Sequence, residues 1–321
     1  MDKHFFSKIN LDIISDTKEL YVGYSGGPDS TALLHYLNSN SDIKLTAVHI
    51  NHGISDQSKN WEKHCSDFCK QNKINIICES IKIEKNKSIE SEARRLRIET
   101  FKNIVPTSAH LVLAHHLGDR VETLLYRLFR GTGIKGLSTF SDQTKLGTLN
   151  IIRPFIKIEK SEILNYLNEY NLAYVEDDTN SDNLYDRNFI RNEIIPMITS
   201  RWPKASQKIA ELSDFANVEN ILKEAYLDKL LCELDVGFGI KLDDLARFKR
   251  PIRNELIRYW VRKNGYAVPN KKNIDEINKI FIDSQPSRKS TVKWSKSDKT
   301  EKPCKIFMKS NYLIIEEDYG V

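Results

Sequence analysis

At 321 residues and 37.2 kDa the chain has room for about two domains of the usual size, which excludes a small disulfide-stapled scaffold. Apolar residues make up 40% and charged residues 29%, the balance of a folded protein rather than a disordered one. The formal charge of +5 is unevenly placed, with 25 basic against 26 acidic residues over 1–200 and 24 against 18 over 201–321. A basic last third is the footprint either of a polyanionic partner or of a solvated surface. No apolar run reaches the roughly 18 residues of a membrane span, and MDKHFFSKINLDIISD lacks a signal-peptide cleavage pattern, so a cytoplasmic protein with no membrane contact is expected. The five cysteines include no C-x-x-C pair; Cys65 and Cys69, four apart, read as reduced thiols on one helix face.

In chain order, β-branched and aromatic runs at 19–25 (ELYVGYS), 44–50 (KLTAVHI), 74–80 (INIICES) and 110–116 (HLVLAHH) predict strands. Helical periods fill the gaps between them, the third ending at Pro106. A strand at 149–153 and a helix at 158–170 follow. Strand alternating with helix predicts βαβ units, a mainly parallel sheet, and a ligand site at the carboxyl ends of its strands. Beyond residue 200 the rhythm changes: helices are expected over 205–233, 242–265 and 271–282. A small antiparallel sheet should follow from 290–294, 304–310 and 312–318, with Ser310-Asn311 as a turn. The expected domains are 1–205 and 206–321. The polar stretch SKSDKTEK at 295–302 is expected to be a loop.

The first strand runs into Ser25-Gly26-Gly27-Pro28-Asp29-Ser30, with a helix beginning near Asp29. Unpaired N–H groups at a helix N-terminus, approached through residues without bulk, form a phosphate cradle. Pro28 suits the first turn, and the hydroxyls of Ser25, Ser30 and Thr31 add donors. The chain has no G-x-x-x-x-G-K-[ST] and no G-x-G-x-x-G at this point, which sets aside the ordinary NTPase loop and the dinucleotide fold. Asp29 is a poor neighbour for phosphate unless Mg²⁺ lies between them.

YSGGPDSTALLH resembles the loop of the N-type ATP pyrophosphatases, or PP-loop ATPases. Within that group AVHINHGIS (47–55), ESEARRLRIETF (90–101), AHHLGDRVETLLYRLFRGTGIKGLS (114–138), IRPFIKIEKSEI (152–163) and EDDTNSDNLYDRNFIRNEIIP (176–196) resemble the tRNA(Ile)-lysidine synthetase family. The resemblance implies an α/β N-terminal domain with a Rossmann-like parallel sheet of the adenine nucleotide α-hydrolase type. A smaller, mainly helical, tRNA-binding domain would follow it and end in a short antiparallel sheet. It further implies ATP and Mg²⁺ as cofactors, and free L-lysine and the tRNA(Ile) with a CAU anticodon as partners. The reaction would be adenylation of the wobble cytidine at O2, then attack of lysine's ε-amine on carbon 2. Dimers are common in the family.

Residue by residue, the resemblance assigns ATP contacts to Ser25, Gly26, Gly27, Pro28, Asp29, Ser30, His49, His52 and His115. Asp29, Asp119 and Glu122 become the catalytic carboxylates, with Asp29 and Asp119 as Mg²⁺ ligands. Asp119 and Glu122, three apart, project from one helix face, for metal binding or for docking and deprotonating the lysine ammonium. Substrate contacts fall to Glu92, Arg94, Arg95, to Gly131 and Gly133 in a glycine-rich loop, and to Arg187, Asn188 and Arg191. The family's usual H-x-x-D-D-Q-x-E-T has Gly118 in place of its first aspartate and Arg120 in place of its glutamine. Either metal affinity falls, or Arg120 compensates by gripping a phosphate. The basic residues of the last third, among them Lys249, Arg250 and Arg253, are expected to contact tRNA. The competing readings are a related tRNA thiolase, disfavoured by the lack of C-x-x-C, and a non-catalytic nucleotide or RNA binder.

Overall fold

The computed structural model describes residues 9, 14, 17–53, 57–82, 89–176, 182–284, 290–295 and 301–319, with only the backbone at 89–91. Parts of three motifs named above, at 54–55, 177–181 and 296–300, lie outside them. The chain forms two compact units, Met1–Asn217 and Val218–Val321. Their division falls inside a helix, twelve residues after the expected boundary at 205.

The first unit alternates β1 (Glu19–Gly23), α1 (Pro28–Asn40), β2 (Lys44–Asn51), α2 (Ser58–Gln71), β3 (Asn75–Ser80), α3 (Ile89–Ile104), β4 (His110–Val112) and α4 (Leu117–Phe129). A short α5 (Ile134–Leu137), a hairpin of β5 (Gln143–Leu146) and β6 (Leu149–Ile152), and α6 (Lys160–Glu169) follow. The sheet order is β3-β2-β1-β4-β6-β5; all neighbours are parallel except β5, which turns back antiparallel on β6. The chain runs outward from β1 through β2 to β3 and restarts on the other side at β4. The loops after β1 and β4 therefore diverge, leaving a crevice at the strands' carboxyl ends. Both sheet faces are covered, as a parallel sheet requires. Leu20, Val22, Leu33, Leu37, Phe155 and Ile163 pack on one side, and Tyr21, Val48, Phe101, Leu111 and Leu149 on the other. Cys65 and Cys69 are buried in the first of these cores, where burial pushes the Cys69 thiol up to about 12.

Past α6 come α7 (Asp186–Phe189), a π-helical turn (Ile190–Ile194), α8 (Ile195–Arg201) and α9 (Ala205–Leu234). The second unit contains β7 (Ile240–Lys241), α10 (Leu242–Ala246), α11 (Arg250–Lys263), α12 (Lys271–Ile277) with a π-helical continuation to Ile282, β8 (Thr291–Trp294), β9 (Cys304–Lys309) and β10 (Tyr312–Glu317). The helix expected over 242–265 is broken at 247–249, where the chain restarts with Pro251 in the new first turn, the position a ring without N–H tolerates. The antiparallel sheet runs β7-β10-β9-β8, and Ser310 and Asn311, both at positive φ, make its two-residue turn. Its inner face joins Leu256, Trp260, Ile274 and Phe281 in one core. Among the described residues no helix is long and apolar enough to cross a membrane.

Candidate functional site

The crevice between the β1 and β4 loops is a cleft of about 320 Å³. Gly26 turns the phosphate loop at φ +82°, and a Cβ there would stand 2.8 Å from Val175 and 2.9 Å from the Cys65 sulfur, so glycine is required on both counts. The loop is braced internally: Ser30 Oγ donates to Gly27 O at 3.1 Å and accepts from the Ser25 N–H at 3.2 Å. Thr31 Oγ1 donates to Gly26 O at 3.2 Å. With Gly27 as N-cap and Pro28 in the first turn, the N–H groups of α1's first turn face the cleft without helical partners. Ser25, Gly27, Asp29 and Ser30 all line it.

Asp29 is paired with the Lys160 ammonium at 2.6 Å. Lys160 opens α6 inside the quoted string IRPFIKIEKSEI, yet nothing in its spacing singled it out, because its Asp29 partner lies 131 positions away. Across the cleft, His116 and Asp119 cap α4 reciprocally. His116 Nδ1 accepts from the Gly118 N–H at 3.0 Å, and Asp119 accepts from the His116 N–H at 2.8 Å. His116 Nε2 then faces Asp29 at 3.8 Å and Asp119 at 3.7 Å. Burial alone would raise the Asp119 carboxyl, but the two imidazoles, the His116 N–H and Arg191 hold it below its usual range. One turn on, Glu122 is buried, and burial pushes its carboxyl above the usual value despite Arg191. Arg191 reaches Glu122 at 2.6 Å, with Arg187 3.9 Å away. The expected pair on one face is therefore present, one carboxyl lowered and the other raised.

His115 and His52 line the cleft. Burial, with Arg153, Arg97 and Arg94 nearby, pushes His115 down to about 4 against the pull of Asp119, so it is neutral at pH 7. Its Nδ1 accepts from Arg153 Nε at 3.3 Å, which leaves the ring proton on Nε2. His52 Nδ1 is buried with no hydrogen-bond partner among the described residues, an orphan that a nucleobase could satisfy. His49 is elsewhere: its Nδ1 lies 3.0 Å from Tyr24 O and 3.4 Å from the Cys65 sulfur, beneath the loop and outside the cleft lining. Arg94 lines the cleft together with Arg97, which the spacing had not marked. Arg95 instead pairs with Glu92 at 2.7 Å and Glu99 at 2.9 Å. Gly131 and Gly133 do not line the cleft; their loop is held by Arg127, which donates to Gly136 O and Ser138 O, both at 3.0 Å. Asn188 donates to Asp182 O at 2.9 Å, bracing the turn that carries Arg187 and Arg191.

A PP-loop domain matches residues 1–198, and a TilS substrate binding domain matches residues 241–298. The chain belongs to the tRNA(Ile)-lysidine synthase family. It is 33% identical over 285 residues to the tRNA(Ile)-lysidine synthase of Legionella pneumophila (strain Lens), covering 87% of this chain and 65% of that one. To the same enzyme of Actinobacillus pleuropneumoniae serotype 3 (strain JL03) it is 34% identical, covering 86% and 67%. The chain thus spans about two thirds of the length of these curated relatives. Among solved structures it resembles the U34-tRNA thiolase NcsA from Methanococcus maripaludis, with a TM-score of 0.55 at 16% identity over 66% of this chain and 76% of that one, a likeness of fold.

Against the family's usual string the two departures have separate physical accounts. A Cβ on Gly118 would stand 2.7 Å from His116 Cε1, so glycine is what lets the His116 ring fold back as the α4 cap. Arg120 does not grip a phosphate. It is buried at 4% exposure and points away from the cleft, pairing with Asp214 and donating to Ala210 O at 3.2 Å on the first turns of α9. In this family member the glutamine position braces α4, and the expected compensation by Arg120 is withdrawn.

Proposed function

We propose that this chain uses ATP to adenylate O2 of the wobble cytidine in the tRNA(Ile) with a CAU anticodon. It then joins free L-lysine through its ε-amine to carbon 2, releasing pyrophosphate and AMP. The observation that carries the reading is that one cleft is lined by the glycine loop at the N-terminus of α1, by Asp29 with Lys160 beside it, and by Asp119 and His115 from the β4 end, with Glu122 buried one turn behind Asp119. The cradle N–H groups and Lys160 suit the triphosphate and the departing pyrophosphate, and neutral His115 is a donor for an acceptor oxygen on nucleotide or cytidine. Glu122 is the group to hold the lysine ammonium and take its proton, because a carboxyl above its usual value is the better base. Arg94, which lines the cleft, and Arg187 and Arg191 beside Glu122 suit the anticodon backbone.

No group of three or more His, Cys, Asp or Glu among the described residues could hold a metal ion by itself. Mg²⁺ is usually held by one or two carboxylates, with substrate phosphates and water completing its shell, so Asp29 and Asp119 fit it. Bound there with ATP, Mg²⁺ would offset charge on the phosphates.

In the second unit, Lys249, Lys271 and Lys272 carry no ion pair among the described residues, and they suit phosphodiesters. Action on tRNA places the protein in the cytoplasm; a dimer is tested by light scattering. The deciding experiment incubates the protein with ATP, labelled lysine and a tRNA(Ile) transcript. Label in the tRNA with one AMP and one pyrophosphate per lysine is the expected result, with Gly118 and Arg120 in place. Tight ATP and tRNA binding without label would refute ligation and leave a binder.

A further inference from the structure

The outer face of the second unit's sheet carries a feature that its core does not explain. Along β9 and β10 the inward residues are Cys304, Ile306 and Leu313, all buried. The alternate residues, Phe307, Lys309, Tyr312 and Ile314, stand on the other face. Tyr312 stands at the turn end of this face, directly opposite Lys309 on β9 and Lys241 on β7. Lys241 and Lys309 have no ion pair among the described residues, whereas Lys305 and Lys293 nearby are paired with Glu316 at 3.1 Å and Asp318 at 3.0 Å. Phe238 packs on Tyr312, ring centroids 5.0 Å apart.

The turn that presents Phe238 is built closely. Gly237 lies at φ +92°, and a Cβ on Gly239 would come within 2.3 Å of Leu313 O, so only glycine lets this turn lie against β10. The side chain so presented is 60% exposed. A tight turn that holds a large aromatic ring in solvent, against another ring with a free ammonium on each side, contributes little to the core and forms a platform. Its position is also telling: Phe238, Lys309 and Tyr312 all lie outside the residues matched by the family's substrate-binding domain, 241–298.

We propose that Phe238, Tyr312, Lys241 and Lys309 form a stacking platform for unpaired nucleotides of the tRNA, an RNA contact additional to the cleft. Aromatic faces accept a base whatever its identity, and flanking lysines meet the adjoining phosphates, which is how single-stranded segments are held. A protein partner covering the two rings would have to desolvate the ammonium groups that flank them, which carry no ion pair among the described residues, and interface cores are depleted in such charges. The proposal rests on the reading that the chain acts on tRNA.

The test measures the affinity of the full chain for a tRNA(Ile) transcript by fluorescence anisotropy between 50 and 200 mM salt (about the range where phosphate contacts show most). Three proteins are compared: wild type, Phe238→Ser with Tyr312→Ser, and Lys241→Gln with Lys309→Gln. The lysine variant is expected to bind more weakly, with its log–log salt slope reduced by about 1.4, roughly 0.7 per single-strand phosphate contact. The aromatic variant is expected to lose about tenfold in affinity, within the range for one or two stacked bases, with the slope unchanged. All four side chains point outward, so thermal midpoints should match wild type. Should a variant unfold, ultraviolet crosslinking of wild-type protein to the transcript decides, with adducts expected on the peptides carrying Phe238 or Tyr312. Wild-type affinity and slope in both folded variants, or crosslinks only elsewhere, overturns the platform and leaves the proposed function standing. A wild-type protein that binds no tRNA would instead remove the functional reading on which the platform rests.

Discussion

Arg191→Ala tests the physics of the site directly. Glu122 is 4% exposed and its closest cation is Arg191 at 2.6 Å, with Arg187 left at 3.9 Å if Arg191 is removed. Deleting one partner of a fully buried pair costs about 3–5 kcal/mol. The Arg191 side chain is 45% exposed, so solvent screening and the remaining arginine reduce this to about 2 kcal/mol. For a unit of this size that corresponds to a fall of about 4–8 °C in thermal midpoint. The pH dependence carries the sign. Glu122 already sits above its reference value of 4.5 because of burial, so the folded protein retains a proton that the unfolded chain releases. Stability therefore falls as pH rises from about 4.5 through the folded value. Without Arg191 the folded value rises further, and the loss should be small at pH 5 and largest at pH 8. Melting curves at pH 5 to 8 for wild type, Arg191→Ala, and Arg191→Ala combined with Glu122→Gln measure it. The double variant, with no buried charge, should recover most of the loss and its pH dependence. An equal loss at pH 5 and pH 8, or no recovery with Glu122→Gln, would refute the reasoning.

Other outcomes follow from the same contacts. Gly26→Ala should cost about 2 kcal/mol, from a strained φ and overpacking against Val175 and Cys65, and should abolish ATP binding measured by calorimetry. Lys160→Ala should weaken pyrophosphate binding about tenfold, as expected for a lost charge-assisted contact, with the midpoint little changed; an unchanged affinity would separate Lys160 from the phosphates. Arg253, expected from the sequence to contact tRNA, is buried and donates to Asn278 Oδ1 at 2.7 Å. Arg253→Ala should therefore lower stability by about 2–3 kcal/mol without changing the salt slope of tRNA binding. Lys249→Ala with Lys271→Ala should do the reverse, reducing that slope by about 1.8.

The sequence by itself determined what is local. Periodicity set the strands and helices, the glycine loop declared an anion cradle, and the spacing of Asp119 and Glu122 put both carboxylates on one face, because these signals act over one or two turns of backbone. The hairpin strand β5 and the two residues of β7 were missed, since each exists only by pairing with a partner already in the sheet. Tertiary structure alone decided which like residues do which work. Burial pushes both carboxyls up, but the imidazoles, the His116 N–H and Arg191 pull Asp119 below its usual range while Glu122 stays above its own, a split the sequence does not show. The fold drew Arg120 to Asp214 and Arg253 to Asn278, and took His49 from the cleft to the underside of the loop. It brought Lys160 to Asp29 and Phe238 to Tyr312. A side chain's charge and hydrogen-bonding capacity are written in the chain, but the partner that satisfies them comes from a distant segment, and desolvation makes that choice count.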